Sequence, residues 1–365
     1  MTPAPGLTRT AGDPARSSLS PTPFLLGGGA APVRNARKRI GKAGLIVGAM
    51  VIALGGILML PADDSTHYAS HPHPAANYAE AVQRVERVRA AEVGFNPDCH
   101  TTLLTHGTKT AKAIIFAPGY GSCPAAFKEL GTQFYDRGYN VLVVPLPYNG
   151  RADRMTTEQA KLQAEDLVHY TDEVVDIGRG LGDHVTLAGI SGGGLATGWA
   201  AQQRRDVDRA VLISPGFGFA VVPELLTPLV SRVFILLPNM YIWSDSRLKA
   251  DAPPDHNYPR LSTRAVGGQI LRLSLAIQAL ARQNAPAVGS ILVVTNLNDP
   301  DLNNAVTDKV VDLWRAHGAP DVQTYQFPVD LRLGHDLTDL QQPDRNAAAV
   351  VSAVVYPQLL ELIDR

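Results

Sequence analysis

Gly189-Ile190-Ser191-Gly192-Gly193 follows directly on the apolar run Val185-Thr186-Leu187-Ala188 and precedes a helix-like segment, Leu195–Gln203. A serine between glycines thus sits where a strand turns into a helix, the context in which Gly-x-Ser-x-Gly has chemical meaning. A serine hydroxyl acts as a nucleophile only when it projects from the backbone towards a base. A strained turn at a strand end provides that projection, and side chains two residues to either side would collide, which accounts for the glycines. Ser191 is therefore the candidate nucleophile. It needs a base, a carboxylate to orient that base, and donors for an oxyanion.

Outward from this stretch, short apolar strands alternate with helix-like segments. Thr101–His106, Ala113–Ala117, Val141–Val144, Val185–Ala188, Ala210–Ser214, Ile291–Thr295 and Gln323–Phe327 read as strands. Helices are expected around Ala125–Asp136, Thr157–Arg179, Leu195–Gln203, Ala265–Gln283, Val306–His317 and Asn346–Ile363. Strands that are apolar on both faces belong to a mostly parallel sheet flanked by helices, so the expected class is α/β. Phe217–Arg260 breaks the rhythm with six prolines, the apolar stretch Leu225–Leu237, and Tyr241 and Trp243 beyond it. Ligands of such sheets bind beyond the carboxyl ends of the strands, where this insertion emerges. It reads as a lid forming an apolar substrate pocket; the competing reading is a packed structural excursion.

Candidate partners for Ser191 follow in the chain order serine, aspartate, histidine. Just past Ile291–Thr295 stands Asn296-Leu297-Asn298-Asp299-Pro300-Asp301, where Asp299 is nearer the strand end than its competitor Asp301. Asn-Asp-Pro also favours a turn in any protein. After the last strand, Leu333-Gly334-His335-Asp336 forms a loop, so His335 is the candidate base. His317 ends a helix beside Gly318, where a cation suits the helix dipole, and reads as a cap. The two backbone donors of an oxyanion hole are expected from Gly192, after the nucleophile, and from Tyr120 in Pro118-Gly119-Tyr120-Gly121.

The N-terminus differs in kind. Residues 1–42 read as a disordered basic tail, rich in Pro, Gly, Ala, Ser and Thr up to residue 33, with no acidic residue between Pro14 and Ala62. Arg34, Arg37, Lys38, Arg39 and Lys42 lead into the uncharged apolar run Ala43–Leu60, after which come Asp63 and Asp64. A run of about 18 apolar residues just spans a bilayer core, so 43–62 is expected to be a transmembrane helix. The basic flank puts the N-terminal side in the cytoplasm and the body outside. A cleaved signal peptide and a buried core helix are the alternatives. Residues 63–95 read as a linker, containing His67, His71 and His73, followed by a short amphipathic helix within Tyr78–Glu92; the body is 96–365 with the lid at about 217–260. With 33 Lys and Arg against 34 Asp and Glu, the charge is balanced, and no nucleic-acid partner is expected. The two cysteines, Cys99 and Cys123, bracket the oxyanion loop. If the body is exported, a disulfide between them would close a loop of about 25 residues, worth about 3 kcal/mol in the chain-entropy model. Two buried thiols are the alternative.

On Ala117-Pro118-Gly119-Tyr120-Gly121, Gly138-Tyr139-Asn140-Val141, Gly189–Gly193, Asn298-Asp299 and Gly334-His335-Asp336, the chain resembles the α/β-hydrolase superfamily, in particular bacterial serine aminopeptidase-like and monoacylglycerol-lipase-like hydrolases. The resemblance runs roughly from Asn96 to Leu360. It implies an α/β-hydrolase fold, with Ser191 as nucleophile, Asp299 as acid, His335 as base, and Tyr120 and Gly192 as oxyanion donors. Two departures reshape the pocket. Pro118-Gly119 stands where the family usually has His-Gly, and Pro147-Tyr148-Asn149-Gly150 where it often has Gly-His-Gly. The expected activity is hydrolysis of lipid-like or medium-chain esters by a membrane-anchored serine hydrolase, needing no metal or cofactor. The same triad could transfer the acyl group or cleave a peptide, since triad geometry does not separate these. A non-catalytic, membrane-tethered binding protein would be marked by a missing acid or base, and neither is missing.

Overall fold

The computed structural model describes residues 68–244, 255–341 and 348–365, with parts of a helical stretch between Gly44 and Gly56. The chain divides into two units, Met1–Leu54 and Gly55–Arg365. The expected tail 1–42 and most of the 43–62 span lie outside the described residues, and no described helix is long and apolar enough to cross a membrane.

The body opens with α1 (Tyr78–Ala91), β1 (Thr102–Leu104), β2 (Thr110–Ala117), α2 (Lys128–Tyr135) and β3 (Asn140–Val143). Then come α3 (Ala164–Leu181), β4 (Gly182–Ser191), α4 (Gly192–Gln203) and β5 (Arg209–Pro215). The insertion contributes α5 (Thr227–Leu236) and a small antiparallel pair, β6 (Tyr241–Trp243) with β7 (Arg260–Ser262). The chain continues through α6 (Leu271–Ala281), β8 (Ser290–Asn296), α7 (Asn304–Ala316), β9 (Asp321–Phe327) and α8 (Tyr356–Asp364).

Seven strands form one sheet in the order β1-β3-β2-β4-β5-β8-β9. β1 runs antiparallel to β3 and every other neighbour is parallel. The two-residue period of a strand explains why the strands read as continuous apolar runs. Ala113, Ile115 and Ala117 of β2 enter one core with Leu195 and Trp199 of α4 and Trp314 of α7. Ile114 and Phe116 enter the other, with Phe134 of α2 and Leu359 and Ile363 of α8. Parallel pairing sends the ends of β4, β5, β8 and β9 out of one edge of the sheet.

Two elements differ from expectation for local reasons. The helix expected over Thr157–Arg179 is interrupted after Lys161. There the Asp166 carboxylate accepts from the Gln163 N–H and starts a new helix at Ala164. The helix expected over Ala265–Gln283 begins as a wider, π-type turn, Arg264–Ile270. Gly267 and Gly268 lie under Phe234 and Ile235 of α5 there.

The stretch expected as a linker is pinned from Tyr68 onwards. Tyr68 is fully buried, and its carbonyl accepts from the Trp199 indole N–H at 2.7 Å. Asp172 of α3 accepts from the Ser70 hydroxyl at 2.5 Å and the His71 N–H at 2.8 Å, and Asp176 accepts from the His73 N–H at 2.8 Å. Both carboxylates share the buried Arg204 guanidinium, at 2.8 and 2.6 Å, which also pairs with Asp206 at 2.8 Å. Burial lowers the affinity of Arg204 for its proton, but the three carboxylates outweigh this and hold it charged. Removing one partner of a buried ionic cluster strands the others. Arg204→Met is therefore expected to lower the unfolding free energy by about 3 kcal/mol in urea denaturation. A loss below about 1 kcal/mol would mean that the backbone donors alone satisfy the two aspartates.

Candidate active site

Ser191 is the last residue of β4, with φ 55° and ψ −115°, a conformation that strains any residue with a side chain. The β4–β5 register shifts between Ile190 and Ser191, so the serine leaves the ladder as α4 begins. The residues two positions to either side must be glycine. A Cβ on Gly189 would fall 2.2 Å from the Gly193 carbonyl oxygen, and one on Gly193 would fall 2.0 Å from that of Ala117. The Ser191 carbonyl accepts from the Gly216 N–H at 2.9 Å, which ties the turn to the end of β5.

The loop after β2 passes beside this turn. A Cβ on Gly119 would be 3.5 Å from the Ser191 Cβ, and one on Gly192 would be 3.1 Å from the Tyr120 nitrogen. The backbones of Tyr120 and Gly192 are thus neighbours on one side of Ser191. The loop is held from behind. Buried Asn149 accepts from the Gly121 N–H at 2.7 Å and donates its amide to the Pro147 carbonyl at 2.9 Å. The Tyr120 hydroxyl donates to the Gln159 carbonyl at 3.1 Å. Pro147–Gly150, the stretch that departs from the resembled pattern, therefore supports the loop that carries Tyr120. Beyond the loop, Cys123 is joined to Cys99 by a disulfide with an S–S distance of 2.07 Å.

His335 and Asp299 meet on the same edge of the sheet, after β9 and β8. His335 Nδ1 lies 2.9 Å from Asp299 Oδ2. An ionised carboxylate can only accept, so Nδ1–H is the donor and Nε2 is left as the basic nitrogen. The Asp299 side chain is fully buried, and its other oxygen accepts from the backbone N–H groups of Asp301 and Leu302 at 3.0 and 3.1 Å. Burial pushes the Asp299 carboxyl up, but the His335 hydrogen bond and charge and these N–H donors outweigh it and hold it below the usual carboxylate range. Burial pushes His335 down, and the Asp299 hydrogen bond and charge, with Asp301 and Asp336, raise it above the ordinary imidazole value of 6.5. Of the two candidate aspartates, Asp299 holds the imidazole, while Asp301 lends its N–H to Asp299 and its carbonyl to the Ala220 N–H.

A model of the alpha/beta hydrolase family matches residues 114–350, more than half of the chain. The chain belongs to the alpha/beta hydrolase family. Among curated proteins no sequence matches it. Its fold is shared by a solved structure from work on the metagenome-derived lipolytic enzymes LipS and LipT, at 16% identity and a TM-score of 0.54, covering 74% of this chain and 99% of that one. The monoacylglycerol lipase of Paleococcus ferrophilus superposes with a TM-score of 0.50 at 12% identity, covering 72% and 98%.

Two residues that support this family member's site carry no motif. Asn149 is one. Asn296, at the end of β8, is the other: its side-chain amide donates to the Leu333 and Gly334 carbonyls at 2.8 and 2.7 Å and so fixes the approach to His335. The signal available for both was a polar residue at a turn or strand end next to an apolar run. If Asp299 dominates the imidazole's environment, Asp299→Asn lowers the His335 pKa, since burial then acts against the remaining, weaker charges. Asp301→Asn lowers it less. NMR titration of the His335 ring protons measures both, and equal shifts would rule out Asp299 as the controlling partner.

Proposed function

We propose that this chain is a serine hydrolase that cleaves carboxylic esters through an acyl-enzyme intermediate. The observation that carries the reading is the His335–Asp299 contact of 2.9 Å on the sheet edge where Ser191 turns out of β4. In this scheme His335 Nε2 takes the Ser191 proton as Oγ attacks the acyl carbonyl. Asp299 holds the ring and stabilises its charged form. The Tyr120 and Gly192 N–H groups receive the developing oxyanion. His335 then protonates the departing alcohol, and water, activated by the same imidazole, releases the acid. The scheme calls for no metal or cofactor.

The substrate in this reading is a lipid-like or medium-chain acyl ester. Support comes from the insertion, which presents Leu225, Leu226, Leu236, Leu237, Met240 and Ile242 at its surface. The two fold neighbours are named as lipolytic enzymes, which agrees with it. The body is proposed to stand outside the cytoplasmic membrane on a single N-terminal transmembrane helix. The apolar run Ala43–Leu60 behind a basic flank supports this, and so does the Cys99–Cys123 disulfide, since disulfides persist in oxidising compartments.

Fluorophosphonate labelling of wild type and Ser191→Ala tests the nucleophile, and a p-nitrophenyl ester series of rising chain length tests the substrate class. Ser191→Ala is expected to lose labelling and to lower turnover on the order of 10⁴- to 10⁶-fold. Equal labelling of both would remove Ser191 from the mechanism. Labelling without turnover of any ester would favour peptidase or acyl-transfer chemistry, and no labelling of the folded wild type would favour a binding protein. The base works as neutral imidazole and its proton affinity is raised, so kcat/KM falls as pH drops through a midpoint above 6.5. A midpoint below that value would contradict the Asp299–His335 pairing. For topology, external protease is expected to degrade the body in spheroplasts; protection there would overturn the exported orientation.

A further inference from the structure

The end of the insertion runs back into the body as Asp255-His256-Asn257-Tyr258. Its polar groups meet both halves of the candidate site. His256 is 4% exposed and Asp339 1%, and His256 Nε2 lies 2.8 Å from Asp339 Oδ2. The Asn257 amide donates to the same oxygen at 3.1 Å. Asp339 lies four residues after His335 in one tight loop, where the Asp336 carboxylate accepts from the N–H groups of Thr338 and Asp339 at 2.9 and 3.0 Å. On the other side, the Tyr258 N–H donates to the Gly121 carbonyl at 2.7 Å, and the Leu261 side chain would lie 2.6 Å from a Cβ on Gly121. The Tyr258 hydroxyl donates to the Tyr148 carbonyl at 3.2 Å and accepts from the Arg151 N–H at 2.9 Å. The His256 carbonyl is 3.8 Å from Cys99 Sγ of the disulfide. One short strap therefore touches the His335 loop, the Tyr120 loop and the disulfide that closes the latter.

We propose that the buried His256–Asp339 pair is a positioning device, which holds the His335 loop in register with the Tyr120 loop through the strap Asp255–Leu261. The proposal rests on the roles given above to Ser191, Asp299 and His335. The His335 loop is fixed on its N-terminal side by Asn296 and on its C-terminal side by Asp339. The strap is fixed to the oxyanion side by backbone hydrogen bonding that no side chain can replace. His256 faces Asp339, Asp255 at 3.6 Å and the charge of Asp336, while Arg154 stands 4.0 Å from Asp255. Burial disfavours charge on His256, but the hydrogen bond to Asp339 and the charges of Asp339, Asp255 and Asp336 outweigh it and raise its proton affinity above the ordinary imidazole value. A loop anchored by one such pair shifts when the pair is cut, and a displacement of about 1 Å at a general base costs on the order of 10²-fold in rate.

The test uses His256→Leu, which deletes the donor at similar volume, and His256→Gln, which restores one. For p-nitrophenyl ester hydrolysis, His256→Leu is expected to lower kcat at least tenfold with KM within twofold of wild type. His256→Gln should recover most of the loss. The low-field proton NMR resonance of His335 Nδ1–H, assigned by its absence in His335→Asn, is expected to shift in His256→Leu. If His256→Leu fails to fold, Asp339→Ala, which deletes the acceptor, is expected to give the same loss and shift. An unmoved resonance with kcat within twofold would overturn the proposal. So would equal falls in kcat for His256→Leu and His256→Gln. Failure of the site reading gives a different signal: Ser191→Ala would hydrolyse as fast as wild type while the resonance still responded to His256.

Discussion

Among the described glycines the tightest approach is between the first turn of α4 and the end of β2, where Gly193 leaves no room for even a methyl group beside the Ala117 carbonyl. The site as a whole depends on this contact. It lets the helix start directly under the sheet edge and leaves Ser191 as the one residue that must absorb the change of direction, at φ 55°. The same contact brings the loop after β2 alongside the first residue of α4, so that the Tyr120 and Gly192 backbones become neighbours. A strained serine is stable here because both flanks are over-determined by packing. Strands β2 and β5 fix β4 on its two sides, and α4 is buried along nearly its whole length.

The remaining parts of the site are placed by polar side chains acting on backbone. Asn149 grips the loop that carries Tyr120, and Asn296 grips the loop that carries His335. A buried amide satisfies both a donor and an acceptor from one position, and leaving either unpaired inside the protein costs about 1–3 kcal/mol. Such residues locate a loop more rigidly than apolar packing, because a hydrogen bond is directional. Tyr120 and His335 stand on loops, and these two asparagines give those loops the stiffness that strands and helices have by repetition.

Much of the fold was legible in the sequence because it is written in periodicity. The doubly buried strands show as apolar runs, and the order of strands and helices follows from their alternation. The Ser191 turn was legible because its glycines answer a steric demand that leaves few other residues possible. Asp299 and His335 were legible by position after particular strands, and Asp299 was preferred to Asp301 as nearer the strand end; the coordinates add its 2.9 Å contact with the imidazole. What stayed hidden depends on contacts far apart in the chain. The attachment of residues 68–76 to α3 joins positions about a hundred apart, with Ser70 meeting Asp172. His256 and Asp339 are 83 residues apart and neither sits in a motif. The interruption near Lys161 depends on a side-chain cap, which a periodic pattern does not report.

The pinned stretch from Tyr68 onwards belongs physically to the folded body. A chain cut just before Tyr68 keeps every partner of Trp199, Asp172 and Asp176 described above. A chain cut before Asn96, where the family resemblance begins, would leave an open slot in the helical layer, with an indole N–H and two carboxylates facing water in place of backbone. A boundary drawn ahead of Tyr68 therefore keeps the helical layer closed. A domain excised ahead of Tyr68 retains these contacts, whereas one excised on motifs alone would be damaged.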